Sequence, residues 1–185
     1  MRIVSGKYKG RLITPPKNLR ARPTTDFAKE NLFNVLQWEV EFDECDVLDL
    51  FAGTGSISYE FASRGARSVT SVEINSVHHN FIRKTAAELE FSNFYAVKAN
   101  AFLYLKSCAK QFDIIFSDAP YDLEGSEEVV RMVFDRDLLA RDGLFIFEHS
   151  TSMSFADHQY FWQSRSYGSV QFSMFRYSDQ EDHDE

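Results

Sequence analysis

Residues 46–55 read Asp46-Val47-Leu48-Asp49-Leu50-Phe51-Ala52-Gly53-Thr54-Gly55, a short apolar run that closes on a glycine pair. The run suits a buried strand, and Gly53 and Gly55 permit the tight turn and close backbone approach of a ligand-cradling loop. In open α/β sheets ligands lie in the crevice beyond the strands' carboxyl ends, where this loop would stand. A glycine turn that only reverses the chain has the same spelling. Two neighbours favour a ligand: Asp49 begins the motif, and Glu73 closes the next apolar run, where an acid can take both hydroxyls of a ribose. Ser58 stands where a dinucleotide fingerprint has its third glycine, so an adenosine without a pyrophosphate fits better than NAD or FAD.

Outward from this stretch, short apolar runs alternate with helical stretches, the pattern of a parallel sheet with crossover helices. Strands are expected at Asp46 to Leu50, Ser68 to Val72, Phe94 to Val97, Phe112 to Ser117 and Leu144 to Phe147. Helices are expected at Ser56 to Arg64, Ser76 to Glu90, Ala101 to Ser107 and Ser126 to Phe134. Tyr160 to Tyr167 and Ser169 to Tyr177, aromatic-rich and separated by Gly168, read as a closing antiparallel hairpin. The expected fold is therefore α/β and Rossmann-like, a mostly parallel seven-stranded sheet with an antiparallel C-terminal hairpin. Ahead of it, Arg2-Ile3-Val4 and Arg11-Leu12-Ile13 look like two short strands around a glycine-bounded turn. Thr24, Thr25 and Asp26 then offer N-caps for a helix to about Trp38, with Ala28, Leu32, Val35 and Leu36 as its apolar stripe.

Asp118-Ala119-Pro120-Tyr121 follows the fourth apolar run and is built to hold a planar amine. The Asp118 side chain and the carbonyl before Pro120 can accept hydrogen bonds from one NH2 group, while Tyr121 offers a stacking plane for its ring. A strand-ending turn with Tyr121 packed in the core is the plainer alternative. Its place at the fourth strand's end aims it at the same cleft as Gly53 and Glu73, which points to methylation of a nucleobase amine. Asn100-Ala101 ends the third run, where an amide can read an adenine edge or cap a helix.

Composition limits the alternatives. The 185 residues suit one domain, and no segment is long enough to cross a membrane. The N-terminus lacks the pattern of a secretory signal, and Cys45 and Cys108 are too few and too isolated for a disulfide framework. A cytoplasmic protein with reduced thiols is expected. Residues 1–30 carry a net charge of +6 and the remainder −14, with five acids in the last seven positions. A basic end on an acidic body reads as a docking surface for a polyanion, although short Lys/Arg-rich hairpins are often simply solvated. His78, His79, His149, His158 and His183 show no metal spacing, and no nucleophile elbow, phosphate loop or hydrolase carboxylate pair is present.

With these residues in view, the chain resembles the S-adenosylmethionine-dependent class I methyltransferases, and more closely the RsmD family of 16S rRNA guanine-N2 methyltransferases. The resemblance spans nearly the whole length. It rests on Arg2 to Gly6 with Gly10-Arg11, Arg22 to Asp26 followed by Glu30 to Asn34, Asp49 to Gly55, Glu73, Asn100-Ala101 and Asp118 to Tyr121. It implies that Asp49, Phe51, Gly53 and Gly55 cradle the methionine part of S-adenosylmethionine, Glu73 its ribose and Asn100-Ala101 its adenine, with Ile74 also among the cofactor-binding residues. S-adenosylhomocysteine would be the product, and Asp118, Ala119, Pro120 and Tyr121 would form the catalytic tetrad. A basic extension over 1–22, with Arg2, Lys7, Lys9, Arg11, Arg20 and Arg22, would hold 16S rRNA or a small-subunit assembly particle. The methyltransferase domain would cover 23–177 and an acidic, disordered tail 178–185, in a monomer. The family often has two prolines after the aspartate; this chain has Ala119-Pro120, which keeps the acceptor carbonyl. Adenine-N6 methylation of DNA or RNA, a non-catalytic RNA-binding assembly factor and a nicotinamide oxidoreductase are the competing readings.

Overall fold

A computed structural model of the chain describes residues 1–16, 19 and 24–178. The strands are β1 (Asp46–Leu50), β2 (Ser68–Glu73), β3 (Phe94–Lys98), β4 (Phe112–Asp118), β5 (Leu139–His149), β6 (Phe161–Tyr167) and β7 (Val170–Phe175). The helices are α1 (Asp26–Leu36), α2 (Ser56–Ser63), α3 (Ser76–Glu88), α4 (Ala101–Ser107) and α5 (Glu128–Asp135). All seven strands join in one sheet ordered β3-β2-β1-β4-β5-β7-β6. β1 pairs in parallel with β2 and β4, β2 with β3 and β4 with β5, whereas β7 runs antiparallel to both β5 and β6. The order reverses direction between β1 and β4, which opens a crevice at their carboxyl ends.

Side chains alternate across the sheet, so each strand feeds two cores. Leu48, Ile115, Phe145 and Phe147 pack with Ala101 and Leu105 of α4 and with Val129, Val130 and Val133 of α5 on one face. Val47, Val69, Ile114, Phe116, Leu144 and Ile146 pack with Leu32, Phe33 and Leu36 of α1 and with Ile57 and Phe61 of α2 on the other. Thr25 caps α1, its side chain accepting from the Ala28 N–H, which is the capping read from the sequence. The helix stops at Leu36, two residues short of the expected end.

The expected N-terminal pair of strands comes down to one antiparallel bridge, Arg2 to Leu12. Ile3 N–H donates to the Arg11 carbonyl and Ile13 N–H to the Met1 carbonyl, both at 3.0 Å, while other donors leave the pair. The Val4 and Ser5 N–H groups donate to the carboxylate of Glu60 at 2.8 and 3.0 Å, and Lys7 N–H donates to the Ser63 carbonyl at 2.7 Å. The segment is therefore clamped to α2 as well as paired on itself. Glu60 is fully buried and is compensated by Arg64 at 2.9 Å and Lys29 at 3.8 Å. Arg20, Arg22 and the acidic tail from Asp179 onward lie outside the described residues. Cys45 is buried and Cys108 half-buried, and both are free thiols. Among the described residues no helix is long and apolar enough to cross a membrane.

Candidate active site

Glycine geometry builds the first wall. Phe51, Gly53 and Gly55 hold φ of 58°, 57° and 84°, so the chain coils sharply between β1 and α2. A side chain at Gly55 would stand 2.7 Å from the Tyr59 ring, and its left-handed φ is one that residues with a Cβ rarely adopt. Phe51 is unusual at positive φ, and its ring packs edge-on against Phe102 of α4 with centroids 6.0 Å apart.

The loop is tied to β2. Ala52 N–H donates to the Val72 carbonyl at 3.0 Å, and Gly53 N–H donates to Glu73 Oε2 at 2.8 Å. Glu73 Oε1 accepts from Asn75 N–H at 2.7 Å. A carboxylate offers about four lone-pair sites, so Glu73 can still receive two hydroxyl groups.

Strand register supplies the second wall. Asp49 sits level with Ser71 of β2 and Phe116 of β4. Two residues further along their strands, on the same face of the sheet, come Glu73, Asp118 and Glu148, with Asp118 and Glu148 direct register partners. All four acids line one cavity of about 420 Å³, beside Phe51, Gly53, Thr54, Ile74, His78, Ala119, Pro120, Tyr121, Thr24 and Val170. That volume is in the range of small-molecule sites. A wall of carboxylates favours ligands that bring positive charge or N–H and O–H donors.

Burial tunes the deepest acid. Asp49 is 1% exposed, and desolvation pushes its carboxyl up from 3.8 to about 7, with the Ser58 hydroxyl bond opposing and the charge of Glu73 adding to the rise. Ser58 donates to Asp49 Oδ2, so the residue in place of a third glycine supports the acid behind the loop. Glu148, 4% exposed, accepts from the Thr24 hydroxyl at 2.7 Å.

Of the residues expected from sequence, Asp49, Phe51, Gly53, Glu73, Ile74 and Asp118 to Tyr121 share the cavity. Gly55 shapes the loop from behind without lining it. Asn100 caps α4, its side-chain oxygen accepting from Leu103 N–H at 3.1 Å, and neither it nor Ala101 is in the lining. Arg2, Lys7, Lys9 and Arg11 are exposed on the clamped segment. That segment meets the cavity wall: Lys29 Nζ donates both to the Arg2 carbonyl at 2.6 Å and to the hydroxyl of Ser56, a lining residue, at 3.1 Å. Thr24, Asn75, His78 and Glu148 line the cavity without having been assigned to the site from sequence. Glu148 was findable by the rule that found Asp118, an acid closing an apolar run at a strand's carboxyl end. Among the described residues no three His, Cys, Asp or Glu side chains converge as a metal site.

Comparison with known proteins gives this geometry a context. A family model described as Conserved hypothetical protein 95 matches residues 1–176. The Ribosomal RNA small subunit methyltransferase D of Escherichia coli K12 is 32% identical over 148 residues, which is 80% of this chain and 74% of that protein. Its counterpart in Buchnera aphidicola subsp. Baizongia pistaciae is 30% identical over 83% of this chain and 78% of its own. Among solved structures, yhhF of E. coli has a TM-score of 0.85 at 28% identity, covering 97% of this chain and 99% of that one. The 16S rRNA N2 G1207 methyltransferase RsmC of T. thermophilus, solved with AdoMet and guanosine, shares the fold with a TM-score of 0.67 at 20% identity, over 86% of this chain and 45% of its own.

Proposed function

Since the chain belongs to the ribosomal RNA small subunit methyltransferase D family, we propose that its cavity joins a cofactor half and an acceptor half for methylation of a guanine N2 amine in 16S rRNA. The observation that carries this reading is the one cavity shared by the glycine loop and Asp118. S-adenosylmethionine supplies an electrophilic methyl group on a sulfonium and leaves as S-adenosylhomocysteine.

The cofactor half fits such a ligand by its own chemistry. Asp49 and the Phe51 to Gly55 loop suit the charged methionine end, and the carboxylate of Glu73 has acceptor sites for a ribose. Ile74, Asn75 and His78 continue the wall toward an adenine. The adenine role of Asn100 and Ala101 rests on resemblance alone.

In the acceptor half, the exocyclic amine of guanine is a poor nucleophile because its lone pair is conjugated with the ring. Asp118 and the carbonyl of Ala119 accept its two N–H groups, which favours a more tetrahedral nitrogen with its lone pair free to attack. Asp118 also faces the positive charge that develops there, and preorganised acceptors of this kind carry most of the acceleration. The proton leaves after transfer, so Asp118 acts by holding the amine rather than as a strong base. Tyr121, half exposed at the mouth, replaces stacking lost when the base swings out, worth about 1–3 kcal/mol.

The clamped basic segment supports rRNA docking beside the cavity. We place the protein in the cytoplasm as a monomer that meets its substrate within an assembling small subunit. The test is Asp118→Ala. Binding of S-adenosylhomocysteine should stay within about threefold, while methyl transfer to 16S rRNA should fall by about 100-fold or more, the usual effect of deleting one preorganised partner. Unchanged transfer would reject the assignment.

A further inference from the structure

We infer that Glu148 selects guanine by accepting its N1–H, so that Asp118 and Glu148 together read the two adjacent donors of one base edge. The inference rests on the methylation reading above and specifies which base the Asp118 tetrad takes. An amine held by Asp118 alone does not distinguish guanine N2 from adenine N6, because both present an NH2 group. The neighbouring ring nitrogen does distinguish them: N1 of guanine carries a hydrogen and donates, whereas N1 of adenine is an acceptor.

The sheet fixes a second acceptor beside the first. Asp118 and Glu148 are register partners on β4 and β5, adjacent parallel strands whose spacing is about 4.8 Å. Both occupy the same face parity and both line the cavity. Glu148 is nine-tenths or more buried, and the Thr24 hydroxyl holds its Oε2 at 2.7 Å. Thr24 immediately precedes the N-cap of α1, so the helix start fixes the orientation of the carboxylate. A buried, fixed acceptor rewards an N–H donor and repels a lone pair, which penalises adenine as well as favouring guanine. Sites built to hydrogen-bond a substrate N–H reject analogues without it strongly.

The test uses free nucleosides as competitors of methyl transfer to 16S rRNA in small-subunit particles from cells lacking this protein. Guanosine carries both the N2 amine and N1–H, 2-aminopurine riboside keeps the amine without N1–H, and 1-methylguanosine blocks N1. For the wild type, guanosine should inhibit at concentrations at least about tenfold lower than either analogue. In Glu148→Gln, whose amide keeps a partner for Thr24, the preference for guanosine over 2-aminopurine riboside should shrink to within about threefold, with binding of S-adenosylhomocysteine retained. A purely structural role would weaken both nucleosides alike and leave their ratio unchanged, which would overturn the inference. If the variant does not fold, the wild-type ratio still decides, since equal inhibition by guanosine and its two analogues removes the basis for N1 reading. Failure of the wild type to methylate any 16S rRNA guanine would overturn the methylation reading and this one with it. An unchanged ratio alongside normal guanine methylation would overturn this one alone.

Discussion

Asp49 shows how far a single buried side chain can bend the chemistry of the site. An aspartate in an unfolded chain loses its proton near pH 4, whereas this one keeps it to about pH 7 because burial disfavours the anion. Folding therefore takes up a proton between those values, and stability falls as pH rises through the window, by up to about 1.4 kcal/mol per unit. Asp49→Asn accepts the Ser58 hydroxyl bond but cannot ionise. Urea unfolding at pH 5 and pH 8 should show the wild type losing more stability than the variant, and equal losses would refute the shift. The sequence revealed Asp49 as the start of a glycine motif. Its burial by Ser58 and the α2 turn was not legible, because a depth of two residues is set by strand register and not by spelling. Glu148 was passed over for a related reason: one acid ending an apolar run also looks like the place where a strand simply stops.

At the scale of elements, the alternation of apolar runs with helical stretches located every strand of the sheet, and the differences are confined to ends and to the N-terminal segment. β5 runs Leu139–His149, longer than the expected Leu144 to Phe147, because Arg141, Asp142 and Gly143 lie inside it and break the apolar pattern. A register shift between Phe112 and Ile114 absorbs that irregularity against β4. In the N-terminal segment, Ile3 and Ile13 bury as strand residues would. Beyond the short pairing of Ile3 with Arg11 and of Ile13 with Met1, a remote partner, the carboxylate of Glu60, takes the Val4 and Ser5 donors, and no local pattern signals a bond across fifty-five residues or more. Gly6 is the point of closest approach: a Cβ there would lie 1.8 Å from the Ser63 carbonyl oxygen, and its φ is +81°. Gly6→Ala should loosen the clamp, weakening rRNA binding by about tenfold while leaving S-adenosylhomocysteine affinity near wild type; a drop of about 1.4 kcal/mol in binding corresponds to that factor. Equal loss of both affinities would show that the segment supports the whole fold rather than the docking surface.

Across the whole molecule, charge is divided between a basic first thirty residues and an acidic remainder, with a total of −8. A polyanion is repelled by most of this surface, so the docking proposed above would rest on the exposed Arg2, Lys7, Lys9 and Arg11. Replacing Lys7, Lys9 and Arg11 by glutamate should weaken rRNA binding and flatten its salt dependence by about 0.7–0.9 in the log–log slope for each phosphate that is no longer neutralised. An unaltered slope would move the docking surface elsewhere. The seven-stranded sheet was readable in advance because each strand carries its own apolar signature. That Asp118 converges on one cleft with Gly53 and Glu73 was expected from their places at strand ends, whereas the addition of Glu148 needed the strand register, which depends on long-range pairing. The claim on which the account turns is that this convergence serves methyl transfer to a guanine amine. Mass spectrometry of nucleosides from 16S rRNA of cells with and without the protein tests it most directly. The account predicts N2-methylguanosine that disappears with the protein and returns with the wild type but not with Asp118→Ala. Unchanged N2-methylguanosine, or loss of N6-methyladenosine in its place, would contradict it.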